Sequence, residues 1–117
     1  MSVGLRLLIT SQLKEGTTAE DYAATGNRMS AMVADREPDT TVYNWWMGED
    51  GTVINEDGFT DEAAFGAHMA NMAESGLLDE WMSRVDVKSV QALGAVGDAT
   101  REALAGFGAV HYGLLKG

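Results

Sequence analysis

Residues 41–51, Thr-Val-Tyr-Asn-Trp-Trp-Met-Gly-Glu-Asp-Gly, form the most informative segment of this chain. The first seven are rich in the β-branched and aromatic side chains that favour strands, and the Asp-Gly pair that follows is typical of a hairpin turn. The segment therefore predicts a β-hairpin in the middle of the chain, with its return strand over residues 52–59. Polar residues and Gly58 weaken the second half of that strand.

The residues before the hairpin predict a strand and a helix. Residues 3–13 alternate apolar and polar side chains, with an extra leucine on the second face, which indicates a strand buried on both sides. Thr17 and Glu20 have the spacing of a capping box, so a helix is expected to begin there and to end before Pro38. The residues that recur on its buried face are Tyr22, Gly26, Met29, Met32 and Val33.

The residues after the hairpin predict two helices and a fourth strand. Asp61 is placed to cap a helix over residues 62–72. Gly76 interrupts this helix, and residues 77–84 resume a helical spacing. Residues 87–96 are expected to form the fourth strand.

The end of the chain predicts a short helix and an extended segment. Asp98 is the expected cap of a helix over residues 99–105, which Gly106 and Gly108 end. Residues 109–115 alternate poorly, so we expect them to add a strand to the sheet edge of a partner molecule.

The order strand, helix, hairpin, helix, strand contains two β-α-β units and predicts an α+β domain. We expect a ferredoxin-like split β-α-β sandwich, in which a four-stranded antiparallel sheet carries both main helices on one face. A chain of 117 residues suits a single domain, residues 1–117. Its core would span about residues 3–96, and residues 97–117 would form a C-terminal helix and an extended tail that is exchanged between partners.

Apolar side chains on both faces of the sheet predict a partner. In the predicted second strand, Tyr43, Trp45 and Met47 lie on one face, and Val42 and Trp46 lie on the other. Helices cover only one face, and an uncovered apolar face is typical of an interface. Because most soluble oligomers are two-fold dimers, we expect a homodimer packed sheet against sheet as a dimeric α+β barrel.

Composition excludes several classes of function. Eight Lys and Arg residues against eighteen Asp and Glu residues give a formal net charge of −10, which repels nucleic acid and anionic lipid. The sequence lacks cysteine, which excludes disulfides, thiolate metal sites and cysteine nucleophiles. It also lacks an apolar run long enough to span a membrane. We therefore expect a cytoplasmic protein that binds neither nucleic acid nor membrane.

Three segments resemble the antibiotic biosynthesis monooxygenase-like family of dimeric α+β barrel proteins. Residues 37–43, Glu-Pro-Asp-Thr-Thr-Val-Tyr, are similar to the family's Glu-Pro-Gly-x-x-x-Tyr lead into the second strand. Residues 59–68, Phe-Thr-Asp-Glu-Ala-Ala-Phe-Gly-Ala-His, are similar to its Trp/Tyr-x-Asp/Ser-x-Glu-Ala-Phe-x-x-His run, and the hairpin turn lies between them. The resemblance covers about residues 5–96. It implies a small homodimer, in a family whose activities include cofactor-independent oxidation of quinols and anthrones and degradation of haem.

The sequence also departs from the family pattern. Asp39 replaces the usual glycine, Phe59 stands where Trp or Tyr is common, and Ala73 stands where a second histidine often follows the first. The missing histidine argues against haem breakdown and against a two-histidine mechanism.

His68 is the candidate catalytic residue, because imidazole gains or loses a proton near neutrality. One turn after Phe65 and one turn before Met72, it is expected to face the cleft between helices and sheet. There it would take the hydroxyl proton of a phenol or quinol, and the resulting anion would react with O₂ without a cofactor. A buried histidine with a purely structural hydrogen bond is the competing interpretation. The candidate substrate-binding residues, which would form apolar walls, are Tyr43, Trp45, Phe59, Met72 and Trp81.

Three functions remain open at this stage. The first is a cofactor-independent monooxygenase that oxidises a small quinol- or anthrone-like aromatic. The alternative is a non-catalytic dimeric barrel that binds a small aromatic or hydrophobic ligand. An isomerase or decarboxylase would also suit a lone base in an apolar cleft.

No cofactor and no metal ion are expected. A site built from His68, His111 and Asp57 has little support, because their spacing fixes no shared geometry. The acidic pairs at residues 49–50 and 56–57 are interpreted as solvated turns.

Overall fold

The computed structural model describes residues 4–117. In chain order the elements are β1 (Leu5–Leu13), α1 (Ala19–Arg36), β2 (Thr40–Met47), β3 (Thr52–Phe59), α2 (Glu62–Glu74), α3 (Leu77–Arg84), β4 (Val85–Leu93), α4 (Asp98–Ala105) and β5 (Val110–Tyr112). The predicted start of the first strand and of the core at residue 3 lies outside the described residues.

The five strands form one sheet in the order β2-β3-β1-β4-β5. The first four are antiparallel and have the strand order of a split β-α-β domain, so the predicted α+β class is confirmed. The prediction of a purely antiparallel, four-stranded sheet is wrong, because β5 pairs with β4 in parallel and makes the sheet mixed. Parallel neighbours need a crossover between them, and α4 supplies it.

The tail lies on the sheet of its own chain in this structure. Val110 pairs with Gln91, and the backbone N–H of Gly94 donates to the carbonyl of Tyr112 at 2.9 Å. The sequence predicted an additional strand here but placed it on a partner. Exchange of this strand between two copies stays a prediction.

The start of α1 is shifted by one residue from the predicted position. Thr17 is held in a preceding turn, where its N–H donates to the carbonyl of Lys14. The capping box is therefore formed by Thr18 and Asp21: the Thr18 hydroxyl accepts from the Asp21 N–H at 3.0 Å, and the Asp21 carboxylate accepts from the Thr18 N–H at 3.2 Å. The predicted Thr17 and Glu20 pair is wrong.

Two further boundaries differ from the prediction because of glycine. β4 ends at Leu93 rather than residue 96, since Gly94 has a φ of +122° and turns the chain. A Cβ at Gly94 would lie 2.4 Å from the carbonyl oxygen of Gly4, so only glycine fits. α4 begins at Asp98 after the N-cap residue Gly97, whose N–H donates to the carboxylate of Glu62, so the prediction of Asp98 as the cap is wrong.

The helices cover one face of the sheet, and the core lies between them. The predicted buried face of α1 is confirmed, and Tyr43 and Trp45 pack against the core on this side. Met47, predicted on the same face, is exposed at the strand end. On the opposite face the described chain leaves apolar side chains uncovered, including Trp46, which is 58% exposed. None of the helices found between residues 4 and 117 has the length and hydropathy needed to cross a membrane.

Candidate active site

A cavity of about 60 Å³ lies between the covered face of the sheet and the helices. This volume is smaller than the roughly 150 Å³ of a cavity that accepts benzene. Three of the lining side chains are methionines, which can change rotamer to make room for a ligand. The cavity is lined by Leu7, Ile9, Met29, Tyr43, Asn55, Asp57, Phe65, His68, Met69, Met72, Leu78, Trp81, Val90, Leu104 and Phe107.

His68 lies on the face of α2 that points at the sheet, as its spacing predicted. It is 4% exposed and lines the cavity. Its ring centroid is 5.3 Å from that of Tyr43 and 5.5 Å from that of Phe59. The imidazole is therefore held between aromatic side chains of two strands.

The partner of His68 is Glu37, a buried carboxylate at the end of α1. His68 Nδ1 lies 2.9 Å from Glu37 Oε1. The same oxygen accepts from the Thr40 hydroxyl at 2.8 Å, and Oε2 accepts from the Asn71 amide at 3.2 Å. Glu37 caps α1 immediately before Pro38, where the helix must end, and this turn places its side chain against α2. Several donors thus fix the carboxylate, and the carboxylate fixes the imidazole.

Burial and this hydrogen bond act differently on the protonation of His68. Burial lowers the pKa of His68 below its ordinary value, although Glu37 opposes the shift. The ring is therefore neutral at pH 7, with its proton on Nδ1 toward Glu37. Nε2 keeps its lone pair, and within residues 4–117 it has no hydrogen-bond partner. Such a nitrogen can act as a general base.

Asp57 is a second ionisable group at the cavity. It is 5% exposed, and its Oδ1 is buried without a hydrogen-bond partner in the described part of the chain. Burial, and then the neighbouring charges of Glu37 and Glu56, raise the pKa of Asp57 to about 7. A large fraction of the molecules therefore carry a proton on Asp57 near neutral pH.

The interpretation of residues 56–57 as a solvated turn is wrong. Both lie inside β3, where Asp57 pairs with Leu7 and Tyr43 on its two sides. Side chains alternate along a strand, so Glu56 points to the opposite face, where it accepts from Asn44. Pairing with two neighbouring strands overrides the low strand propensity of this segment.

A chain of hydrogen bonds fixes another wall of the cavity. Trp81 Nε1 donates to the hydroxyl of Tyr22 at 3.1 Å, and that hydroxyl donates to Asn55 Oδ1 at 3.2 Å. Burial raises the pKa of Tyr22 to about 12, and burial also raises the pKa of Tyr43 above its usual range. Both phenols are therefore neutral near pH 7.

The structure brings together four of the six predicted site residues. Tyr43, His68, Met72 and Trp81 line one cavity. Phe59 contacts the His68 ring from the side without lining the cavity. Trp45 lies further along β2, where it packs against Tyr22 with a centroid distance of 5.5 Å and lines a surface groove beside α1.

Sequence reasoning missed several residues of the site or gave them another role. Glu37 was noticed only as part of the Glu-Pro resemblance. Asn55 and Asp57 share the period-two pattern of buried β3 residues with Val53 and Phe59, and that alternation was a usable signal. Two further lining residues come from the tail, and only folding could have placed them at the cavity: Leu104 and Phe107.

The three residues considered above as a metal set do not line one cavity. His111 lies on β5, outside the cavity that holds His68 and Asp57. Residues 4–117 contain no group of three His, Cys, Asp or Glu side chains arranged to hold a metal ion.

Proteins of known structure share this fold. MupZ from Pseudomonas fluorescens is 16% identical over 97% of this chain and 91% of its own, with a TM-score of 0.83. SnoaB, a cofactor-independent oxygenase from Streptomyces nogalater, is 12% identical over 80% of this chain and 94% of its own, with a TM-score of 0.65. A candidate antibiotic biosynthesis monooxygenase from Caulobacter crescentus is 14% identical over 80% of this chain and 90% of its own, with a TM-score of 0.67.

These comparisons confirm the predicted resemblance at the level of fold. The chain has the fold of the antibiotic biosynthesis monooxygenase-like proteins. Because the similarity to MupZ covers 97% of the chain, it includes most of the C-terminal segment. No protein-family model matches the sequence, and no protein of curated function matches it in sequence.

The raised pKa of Asp57 makes a prediction for stability. Between about pH 4 and pH 7 the folded protein keeps a proton that the unfolded chain has lost, so the free energy of unfolding falls as pH rises. Asp57→Asn removes this dependence. We expect the difference in melting temperature, Asp57→Asn minus wild type, to increase from pH 4 to pH 7 and then to level off. Over this range the free energy of unfolding of wild type is expected to fall by about 4 kcal/mol relative to the variant.

Thermal unfolding followed by circular dichroism from pH 4 to pH 8.5 measures this difference. His68 titrates in both proteins, so its contribution largely cancels. Asp86→Asn, at an exposed aspartate of β4 outside the cavity, is the matched control for the change from Asp to Asn. Parallel curves for Asp57→Asn and wild type would contradict the raised pKa.

Proposed function

We propose that the protein is a cofactor-independent monooxygenase that oxidises a small quinol- or anthrone-like aromatic with O₂. One observation carries the proposal: a buried histidine, oriented by a buried carboxylate, keeps its second nitrogen free at a mostly apolar cavity. The fold it shares with SnoaB, a cofactor-independent oxygenase, supports the same reaction class. A cytoplasmic location, expected from composition, is part of the proposal.

The proposed first step is removal of a hydroxyl proton by His68. The proton moves from the substrate oxygen to Nε2, and Glu37 stabilises the imidazolium that forms. The substrate anion is electron-rich and reacts with O₂. For an anthrone, whose enol form carries the hydroxyl group, a ring CH₂ group and O₂ give a carbonyl and water overall, so one oxygen atom enters the product and the substrate supplies all four electrons that reduce O₂.

The walls of the cavity suit a flat, apolar substrate. Tyr43 and Trp81 are rings held in place by contacts outside the cavity, and Met72 is adaptable. The low dielectric constant of a buried site strengthens the attraction between Glu37 and a protonated His68. The substrate-binding roles of these residues, and of Phe59 and Trp45 next to them, belong to the proposal.

Removal of the base is the direct test. His68→Ala is expected to lower the rate of O₂ consumption at least tenfold with a reduced quinol or anthrone and no added cofactor, because general bases contribute roughly 10²–10⁴-fold. Glu37→Gln should lower the rate as well, since the amide stabilises the imidazolium less. An oxygen electrode measures both.

The matched control for this test is the other histidine, in His111→Ala. It lies outside the cavity, so the variant should keep the wild-type rate. Equal rates for His68→Ala and wild type would remove His68 from the mechanism.

The second candidate is a non-catalytic barrel that binds a small aromatic or hydrophobic molecule. Two departures from the family pattern favour it, namely Ala73 in place of a second histidine and Phe59 in place of Trp or Tyr. In that case the same compounds should quench tryptophan fluorescence and raise the melting temperature without O₂ consumption. Turnover that depends on His68 would exclude this alternative.

We also propose that two copies pack through the uncovered face of the sheet. Trp46 pairs with Ile54 across β2 and β3, Leu93 lies on the same face, and all three are exposed in the single chain. An exposed apolar patch of this kind is typical of an interface. The resulting homodimer would be a dimeric α+β barrel, and its cavities would remain on the outer, helical sides.

Size-exclusion chromatography with light scattering tests the dimer. Wild type should have twice the 12.5 kDa mass of one chain, and Trp46→Lys should give monomer or unfold. Met82→Lys changes another exposed apolar residue, on α3 rather than on the sheet face, and should leave the mass unchanged. A dimer of unchanged stability in Trp46→Lys would rule out this interface.

A further inference from the structure

Asp57 and His68 face the same cavity from opposite sides. Asp57 is the direct neighbour of Tyr43 in the sheet and lies two residues before Phe59 on the same face. The His68 ring lies 5.3 Å from the Tyr43 ring and 5.5 Å from the Phe59 ring. The imidazole therefore lies over the part of the sheet that carries Asp57, and both side chains line the cavity.

Asp57 differs from Glu37 in having no evident structural partner. Both oxygens of Glu37 accept hydrogen bonds, whereas Asp57 Oδ1 is buried and unpaired within residues 4–117. Buried polar groups are rarely left in this state without a role. A neutral carboxyl in a mostly apolar pocket can donate its proton to a ligand oxygen.

We propose that Asp57 is a second catalytic residue, which donates its proton to the carbonyl oxygen of an aromatic ketone while His68 takes a proton from a carbon that this carbonyl acidifies. The site would then enolise its substrate. This inference rests on the proposed function in one respect, the assignment of His68 as the base. It deepens that function by naming the substrate as a ketone whose acidic hydrogen is on carbon.

The proposed step is an isomerisation and needs no oxidant. The substrate C–H bond breaks and an N–H bond forms at Nε2 of His68. The O–H bond of Asp57 breaks, and an O–H bond forms at the substrate oxygen. The product is the enol, and the protein recovers when the proton on His68 returns to Asp57 through water. In an oxygenase, this enol would be the species that meets O₂.

The charges around Asp57 suit this exchange. The ionisable groups that face it are Glu37 after α1, Tyr22 on α1, Tyr43 on β2 and His68 on α2. Before the step, Glu37 carries the negative charge and the other groups are neutral. After the step, the new negative charge on Asp57 is balanced by the new positive charge on His68. The net charge of this buried cluster therefore does not change.

Hydrogen exchange at carbon tests the proposal without O₂. 2-Indanone is incubated with the protein in D₂O under anaerobic conditions, and loss of its α-proton signals is followed by NMR. Wild type should accelerate the exchange over buffer. His68→Ala and Asp57→Asn should each lower the accelerated rate at least tenfold, because each removes one half of the proton transfer.

Asp57→Asn also distinguishes loss of proton transfer from loss of substrate binding. The amide keeps the size of the side chain and an N–H donor for the ketone. The dissociation constant of 2-indanone, measured by tryptophan fluorescence, should therefore change about twofold or less. Loss of a hydrogen bond to the substrate would instead weaken binding about tenfold. In wild type the exchange rate should fall above about pH 7 as Asp57 loses its proton, and the variant should lack this fall. Asp86→Asn, at the exposed strand aspartate, should behave as wild type.

The outcomes distinguish this proposal from the oxygenase. Exchange that needs His68 but not Asp57 overturns the role of Asp57. Oxygen consumption with a quinol in a protein that does not accelerate exchange overturns the enolisation and leaves the oxygenase. Exchange that needs both residues, without oxygen consumption on any ketone or quinol, supports the enolisation and overturns the oxygenase. Absence of both activities in folded wild type overturns both.

Discussion

The hydrogen bond between Glu37 and His68 joins the two halves of this fold. Glu37 follows α1 in the first β-α-β unit, and His68 lies on α2 in the second. Both side chains are buried, and a buried carboxylate that loses its donors costs roughly 3–5 kcal/mol. The relative position of the two helices is therefore tied to this contact.

The same contact explains how a strongly acidic protein keeps an unprotonated, oriented imidazole near pH 7. A histidine buried alone would be neutral but free to rotate, and a histidine beside an exposed carboxylate would tend to be protonated. Here burial keeps the imidazole neutral, and Glu37 fixes which nitrogen carries the proton. Asp57 is kept partly protonated by burial and by the charge of Glu37. One buried carboxylate thus influences both proton-carrying groups of the cavity.

The two faces of the sheet carry different features. The helical face encloses the cavity and its ionisable side chains. The opposite face carries exposed apolar residues such as Trp46, together with the Asn44 and Glu56 hydrogen bond. Structures with the same fold share as little as 8% of their residues with this chain, so the architecture tolerates very different side chains. The reaction class must therefore be argued from the residues in the cavity.

Local patterns in the sequence determined the types and order of the main elements. Composition and the Asp-Gly turn identified the hairpin, and periodicity identified the buried face of α1 and the orientation of His68, because each depends on neighbours close along the chain. Tertiary structure decided the rest. His68 and Glu37 are 31 positions apart, and Asp57 was misjudged because its local segment favours a turn while its partners in β1 and β2 hold it in a strand. The parallel β5, and the tail residues it brings to the cavity, also depend on contacts that no local pattern encodes, since pairing partners distant in sequence meet only after the chain has folded.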